Sequence, residues 1–187
     1  MSVGLGFRMH AERTPNPNSI KWVLGEPIAP VGATADFPAP VPEAVSPLAA
    51  QLFAVKGVTG VFVASQFVTV TKTEDADWTE LAQPLVDAIK AFAASGADAL
   101  GPEFVAKESA PEGDVVGRIR RILEDEVRPA VAMDGGDVVF AGYRDGVVEV
   151  QLQGSCAGCP SSTATLRFGI EQRLREVVPE VQRVVSV

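Results

Sequence analysis

The chain has 187 residues, 47% of them apolar and 21% charged, with a formal net charge of −8. That composition can fill one or two hydrophobic cores and excludes a disordered chain. An acidic chain without a basic run is not built for nucleic acid, whose binding rests on phosphate neutralisation by Lys and Arg, and no apolar run reaches the roughly 18–20 residues of a membrane span. The opening, MSVGLGFRMH, has no charged region followed by an apolar stretch and a cleavage site, so secretion is not expected. The expected location is a bacterial cytoplasm. A mitochondrial location stays open, because the same residues lack acids and carry Arg8.

Residues 1–95 read as a small α+β domain. His10, the only histidine, falls near a terminus expected to be mobile. SIKWVL, Ser19–Leu24, reads as a strand, and a Pro/Gly-rich meander follows. Ser46-Pro47 fits a helix N-cap with proline at the first helical position, opening PLAAQLFAV. Two β-branched runs, about 58–64 and 67–72, flank a Ser65-Gln66 turn and predict a strand pair. Asp77 can cap WTELAQPLVDAIKAFAAS, in which Leu81, Leu85, Ile89 and Phe92 recur at helical spacing. Pro84 inside that run is a reason to expect a shifted start.

Residues 96–113 hold glycines, prolines and several acids, and are the most acidic part of the chain for its length. They predict an extended, solvated linker, with FVAKE as a short strand or packing tail inside it. Residues 114–187 read as a second domain. Val115, Ile119, Ile122, Leu123 and Val127 form a helical stripe that Pro129 and Asp134-Gly135-Gly136-Asp137 are expected to end. DVVFAGY and VVEVQLQ predict two strands around an Asp145-Gly146 hairpin turn. A helix over about 161–177, with Leu166, Ile170 and Leu174 on one face, and a last strand, VQRVVSV, complete it. The fold class is α+β: two small α+β domains joined by an acidic, Gly/Pro-containing linker.

Between the hairpin and the last helix stands QGSCAGCPSST. Cys156 and Cys159 are the only cysteines. Pro160 suits the first helical position, which puts Cys159 at or beside the N-cap. The free N–H groups and the helix dipole there favour a thiolate. Gly154 and Gly158 allow the backbone to close around the sulfurs, and Ser155, Ala157 and Ser161 are small. Four readings compete. Inert buried thiols are the plain one. A dithiol oxidoreductase fits a C-x-x-C at a helix start, but no aromatic precedes Cys156 and the preceding hairpin is antiparallel, not a βαβ unit. A zinc staple needs four ligands, which one chain cannot supply. A metal cluster between two chains receives four thiolates, the usual set for [2Fe–2S] or [4Fe–4S]. A half-site of this kind is useful if the ligand must be released.

Other residues carry plainer readings. Asp134 to Asp137 fit a tight turn, with a place near the cluster or a partner contact as the alternative; as hard carboxylates the two aspartates suit a sulfide cluster poorly as ligands. Ser161, Ser162 and Thr163 are ordinary first-turn residues, with hydrogen bonds to cluster sulfides as the alternative. Arg167 and Arg173 fit a solvated face, with docking of an acidic client as the alternative. Trp22 and Trp78 fit core anchors. TPNP reads as an extended entry into a strand, with a recognition loop as the alternative. No Ser/His/Asp or Cys/His constellation exists with one histidine.

The second part, RPAVAMDGGDVVFAGYRDGVVEVQLQGSCAGCPSSTATLRFGIEQRLREVVPEV, resembles the C-terminal domain of the NifU-like (Nfu) family of iron–sulfur scaffold and carrier proteins. DGGD followed by GSCAGCPSSTATL is its most specific mark. TPNPNSIKW, TADFP, SPLAAQLFAVKGVTGVFV and FVTVTK resemble the Nfu N-terminal domain. The resemblance implies a cluster, most often [4Fe–4S], held between two protomers by Cys156 and Cys159 of each and passed to apo-proteins. It implies a homodimer when loaded, upstream assembly proteins and apo client proteins as partners, and no enzymatic turnover.

Overall fold

The computed structural model describes residues 7–105, 114–157 and 162–187. The chain divides into two compact units, Met1–Ala106 and Lys107–Val187.

The first unit is a five-stranded antiparallel sheet with two helices. Its strands are β1 (Met9–Arg13), β2 (Ser19–Leu24), β3 (Thr34–Phe37), β4 (Val58–Ala64) and β5 (Phe67–Lys72), in the order β1-β2-β5-β4-β3. The register aligns Trp22, Val68, Val63 and Ala35 in one row, and Val70, Val61 and Phe37 in the next. Both rows belong to one buried core with Leu48 and Leu52 of α1 (Pro47–Phe53) and Leu81, Leu85, Ile89 and Phe92 of α2 (Trp78–Ser95). Period-2 strands and a helical stripe thus meet in a single apolar layer.

Local signals act as read. Ser46 Oγ accepts the Ala49 N–H at 3.1 Å, with Pro47 opening α1. Asp77 accepts the Thr79 N–H at 2.8 Å and starts α2. Pro84 does not shift that start. It lies on the exposed side together with Glu80, where water can serve the carbonyl that its missing N–H cannot.

Two expectations need correction here. His10 lies on edge strand β1, paired with Val23, and its Nε2 meets Glu12 at 3.0 Å. Pairing with β2 orders a segment whose own sequence carries no strand pattern. The expected linker also begins packed rather than solvated. Ala99 is fully buried and its N–H donates to Ile28 O, while the Phe104 ring stands edge-on to Phe37. Ala99, Leu100 and Phe104 supply the apolar surface that joins this stretch to the first core. Residues 106–113 of that linker lie outside the described residues.

The second unit opens with α3 (Asp114–Ile122), a π-helical stretch Leu123–Val127 and α4 (Arg128–Met133). The helix therefore runs past Pro129. The Arg128 N–H donates to Leu123 O, five residues back, and this change of register just before Pro129 absorbs the hydrogen bond that proline cannot make. Strands β6 (Gly136–Arg144) and β7 (Val147–Gly154) form the expected hairpin. Asp145 and Gly146 have φ of 50° and 80°, the left-handed pair of a tight hairpin turn. Helix α5 (Ser162–Val177) leads to β8 (Arg183–Ser186), which pairs with β7 in parallel. Ile119, Leu123, Val127 and Val131 share a core with Val138, Val148, Val150, Ile170 and Leu174.

Candidate functional site

The open end of the β6–β7 hairpin builds the site. The register places Gly136 opposite Gly154 and Asp137 opposite Gln153. The turn before β6 and the loop after β7 therefore lie side by side. Gly135 has φ +78° and Gly154 φ +64°, values glycine adopts without a Cβ penalty. Gly136 is required for a different reason. A Cβ on it would stand 2.6 Å from Gln153 O and 2.8 Å from Cys156 Sγ. The plain reading of the glycines as a tight turn holds for Gly135, while Gly136 lies directly against the cysteine loop.

Ser155 joins the two segments. Its N–H donates to Gly135 O at 3.3 Å and its hydroxyl donates to Asp134 O. The Ala157 N–H then donates to Gly154 O at 3.1 Å and turns the chain. Cys156 is 4% exposed and packs into the second core. Cys159, with Gly158, Pro160 and Ser161, lies outside the described residues, and so does the expected Pro160 helix start.

Below the loop, Arg128 Nε and Nη2 donate to Asp137 at 2.8 and 2.7 Å. Asp137 also accepts the Val138 N–H at 2.8 Å. The two carboxylate contacts hold the guanidinium pKa above its ordinary value against the opposing effect of burial. Asp137 thus anchors the start of β6. Among the described residues no group of three or more His, Cys, Asp and Glu could hold a metal ion. His10 belongs to the first unit.

Arg173, Trp22, Trp78 and the TPNP segment have structural partners. Arg173 ties α5 to the π-helical stretch through Glu126 at 2.6 and 3.0 Å and also meets Glu176. Those carboxylates raise its pKa. Trp22 is core, and Trp78 Nε1 donates to Pro17 O, pinning the TPNP segment, which Lys72 also holds through Asn18 Oδ1. One argument from the sequence needs revision. The hairpin is antiparallel, but the C-x-x-C segment itself sits in the β7-α5-β8 crossover, whose strands are parallel. The sequence raised DGGD as a neighbour of the site and singled out Ser155; the bonds of Ser155 to the Asp134–Gly135 turn and the Arg128–Asp137 pair were not legible in it.

Residues 119–185 match the NifU-like domain family, and residues 9–96 match the family described as scaffold protein Nfu/NifU N terminal. A human protein, "NFU1 iron-sulfur cluster scaffold homolog, mitochondrial", is 43% identical over 96% of this chain and 71% of its own length. The chain belongs to the Nfu/NifU family. A Drosophila erecta protein of the same name is 40% identical over 96% of this Nfu/NifU chain, which spans 64% of that relative's length. A NifU-like protein from Saccharomyces cerevisiae, solved by NMR, matches with a TM-score of 0.48 at 22% identity, over 55% of this chain and 92% of that one. Both curated relatives are mitochondrial by name, so the expectation of a bacterial cytoplasm draws no support from them. No helix among the described residues is long and apolar enough to cross a membrane.

Proposed function

We propose that this Nfu/NifU chain is an iron–sulfur cluster scaffold, with the cluster as its cargo. The carrying observation is that the only two cysteines stand three positions apart in the sequence, in a unit that matches the NifU-like domain. The donor chemistry fits. Thiolates are the usual ligands of iron–sulfur clusters, and Asp137, the buried carboxylate beside the loop, is already committed to Arg128.

Cys156 and Cys159 supply two thiolates per chain, and a second copy supplies the other two. The cargo is a [4Fe–4S] cluster shared by the homodimer, with [2Fe–2S] as the alternative for the same ligand set. Delivery is ligand exchange. Each client thiolate forms an Fe–S bond as a scaffold Fe–S bond breaks; the proton lost by the client thiol ends on the released scaffold cysteine. No electrons change hands and no turnover is needed, so the protein is not an enzyme. Its partners are upstream assembly proteins and apo iron–sulfur clients, and its setting is a compartment where clusters are built, the mitochondrial matrix or a cytoplasm.

Anaerobic reconstitution with iron and sulfide tests this. The expected result is about four iron and four sulfide per dimer, with broad absorption near 400 nm. Cys156→Ser and Cys159→Ser each abolish stable binding; a full cluster in either variant defeats the four-thiolate scheme. A second reading, dithiol exchange, is favoured by the parallel β7-α5-β8 setting of the motif. It requires an iron-free monomer whose thiols cycle reversibly. Zinc at half an ion per chain identifies a structural staple instead.

A further inference from the structure

Cys156 is held more firmly than a cluster ligand needs to be. A thiolate that shares iron with a second chain, or yields it to a client, must reach an atom outside its own fold. Cys156 is 4% exposed, with its sulfur against Gly136, where even a methyl group would come within 2.8 Å. The residue before it, Ser155, is 2% exposed and bonded to the Asp134–Gly135 turn through both its N–H and its hydroxyl. These bonds lie between two segments, not within the loop. They fix where the loop sits on β6; within the loop the same hydroxyl lies 3.9 Å from Cys156 Sγ, and the Ala157 to Gly154 bond makes the turn.

We infer that Ser155 is a latch and Gly136 its seat: positioning residues that hold Cys156 inward. Loading then requires Ser155 and Cys156 to turn about Gly154, breaking both Ser155 bonds and lifting the sulfur from Gly136. The latch shelters one thiol of each chain from oxidation and sets how fast the site opens. This role rests on the scaffold reading; the closed position of Cys156 does not.

The test is alkylation of the reduced, metal-free, full-length protein by iodoacetamide at fixed pH, with each cysteine mapped by mass spectrometry. The rate for Cys156 is divided into its rate in urea to give a protection factor. Ser155→Ala should lower that factor about tenfold, the value of one ordinary hydrogen bond of the stronger kind. Gly136→Ala, which fills the seat, should lower it as well. The latch is overturned if wild-type Cys156 reacts as fast as in urea, or if Ser155→Ala leaves the factor unchanged. It is also overturned if the protection factor of Cys156 equals the global unfolding constant in wild type and variant alike, since the thiol is then exposed only by global unfolding and no local opening exists. Initial rates of iron and sulfide uptake should rise in Ser155→Ala, and an unchanged rate removes the role in loading. A wild type that takes up no iron fails the scaffold reading, while the alkylation result still decides the latch.

Discussion

Replacing Arg128 by Met tests whether the site's foundation is the Arg128–Asp137 pair. The change keeps the aliphatic stem and removes both donors to a carboxylate whose side chain is 4% exposed. Removing one partner of a fully buried pair costs about 3–5 kcal/mol, because the other charge is stranded. Two features lower the figure here. The Arg128 side chain is 28% exposed, so water can enter where the guanidinium stood, and Asp137 keeps its bond from the Val138 N–H. The expected loss is about 2–3 kcal/mol. A unit of this size shifts about 4–8 °C per kcal/mol, so its Tm should fall by about 10–20 °C. Adding Asp137→Asn should recover most of the loss, since the orphaned charge is gone. The assay is amide exchange in β6 and β7, with near-UV signal from Tyr143, the only tyrosine. Trp22 and Trp78, the only tryptophans, both lie in the first unit and report it separately in the same sample. The reasoning fails if Arg128→Met melts within about 2 °C of wild type, or if the double variant is no more stable than the single one.

In the first unit, Ser46→Ala removes a helix cap and a buried donor together, because Ser46 Oγ accepts from Ala49 and donates to Ala99 O at 2.6 Å. The expected cost is about 1.5–3 kcal/mol by denaturant unfolding followed through tryptophan fluorescence, and a cost below about 0.5 kcal/mol would count against the assignment. Acid should weaken the second unit. Arg173 lowers the Glu126 pKa and Arg118 lowers that of Glu180, each chiefly through a side-chain hydrogen bond. A carboxylate with a lowered native pKa stabilises fully above its ordinary value of 4.5, and that contribution is lost as the pH falls through the native value. Both groups are exposed, so the effect should be small and should shrink in salt. Glu126→Gln with Glu180→Gln should flatten the acid limb of Tm against pH and leave Tm nearly unchanged above pH 6; an acid limb as steep as wild type would exclude these pairs as its source.

The sequence by itself determined the elements whose signals are local. Ser46-Pro47, Asp77 and Asp145-Gly146 fix their caps and turn through bonds to residues a few positions away. Alternation in VVEVQLQ and the Leu166, Ile170, Leu174 stripe predict a strand and a helix, because period and burial are coupled through backbone geometry. The GSCAGCP phrase singled out Cys156 and Cys159 in the same way, by neighbours along the chain.

Tertiary structure alone decided the rest. β1 is a strand because β2 pairs with it, not because MHAER alternates. Residues 97–105 pack because the first core has room for Ala99 and Phe104. The helix survives Pro129 because a π-helical stretch precedes it. Above all, Gly136 and Ser155 bear on Cys156 only because β6 and β7 pair in one register. Such contacts depend on how separated segments meet, and a shift of one residue in that register would turn every side chain of the strand to the other face.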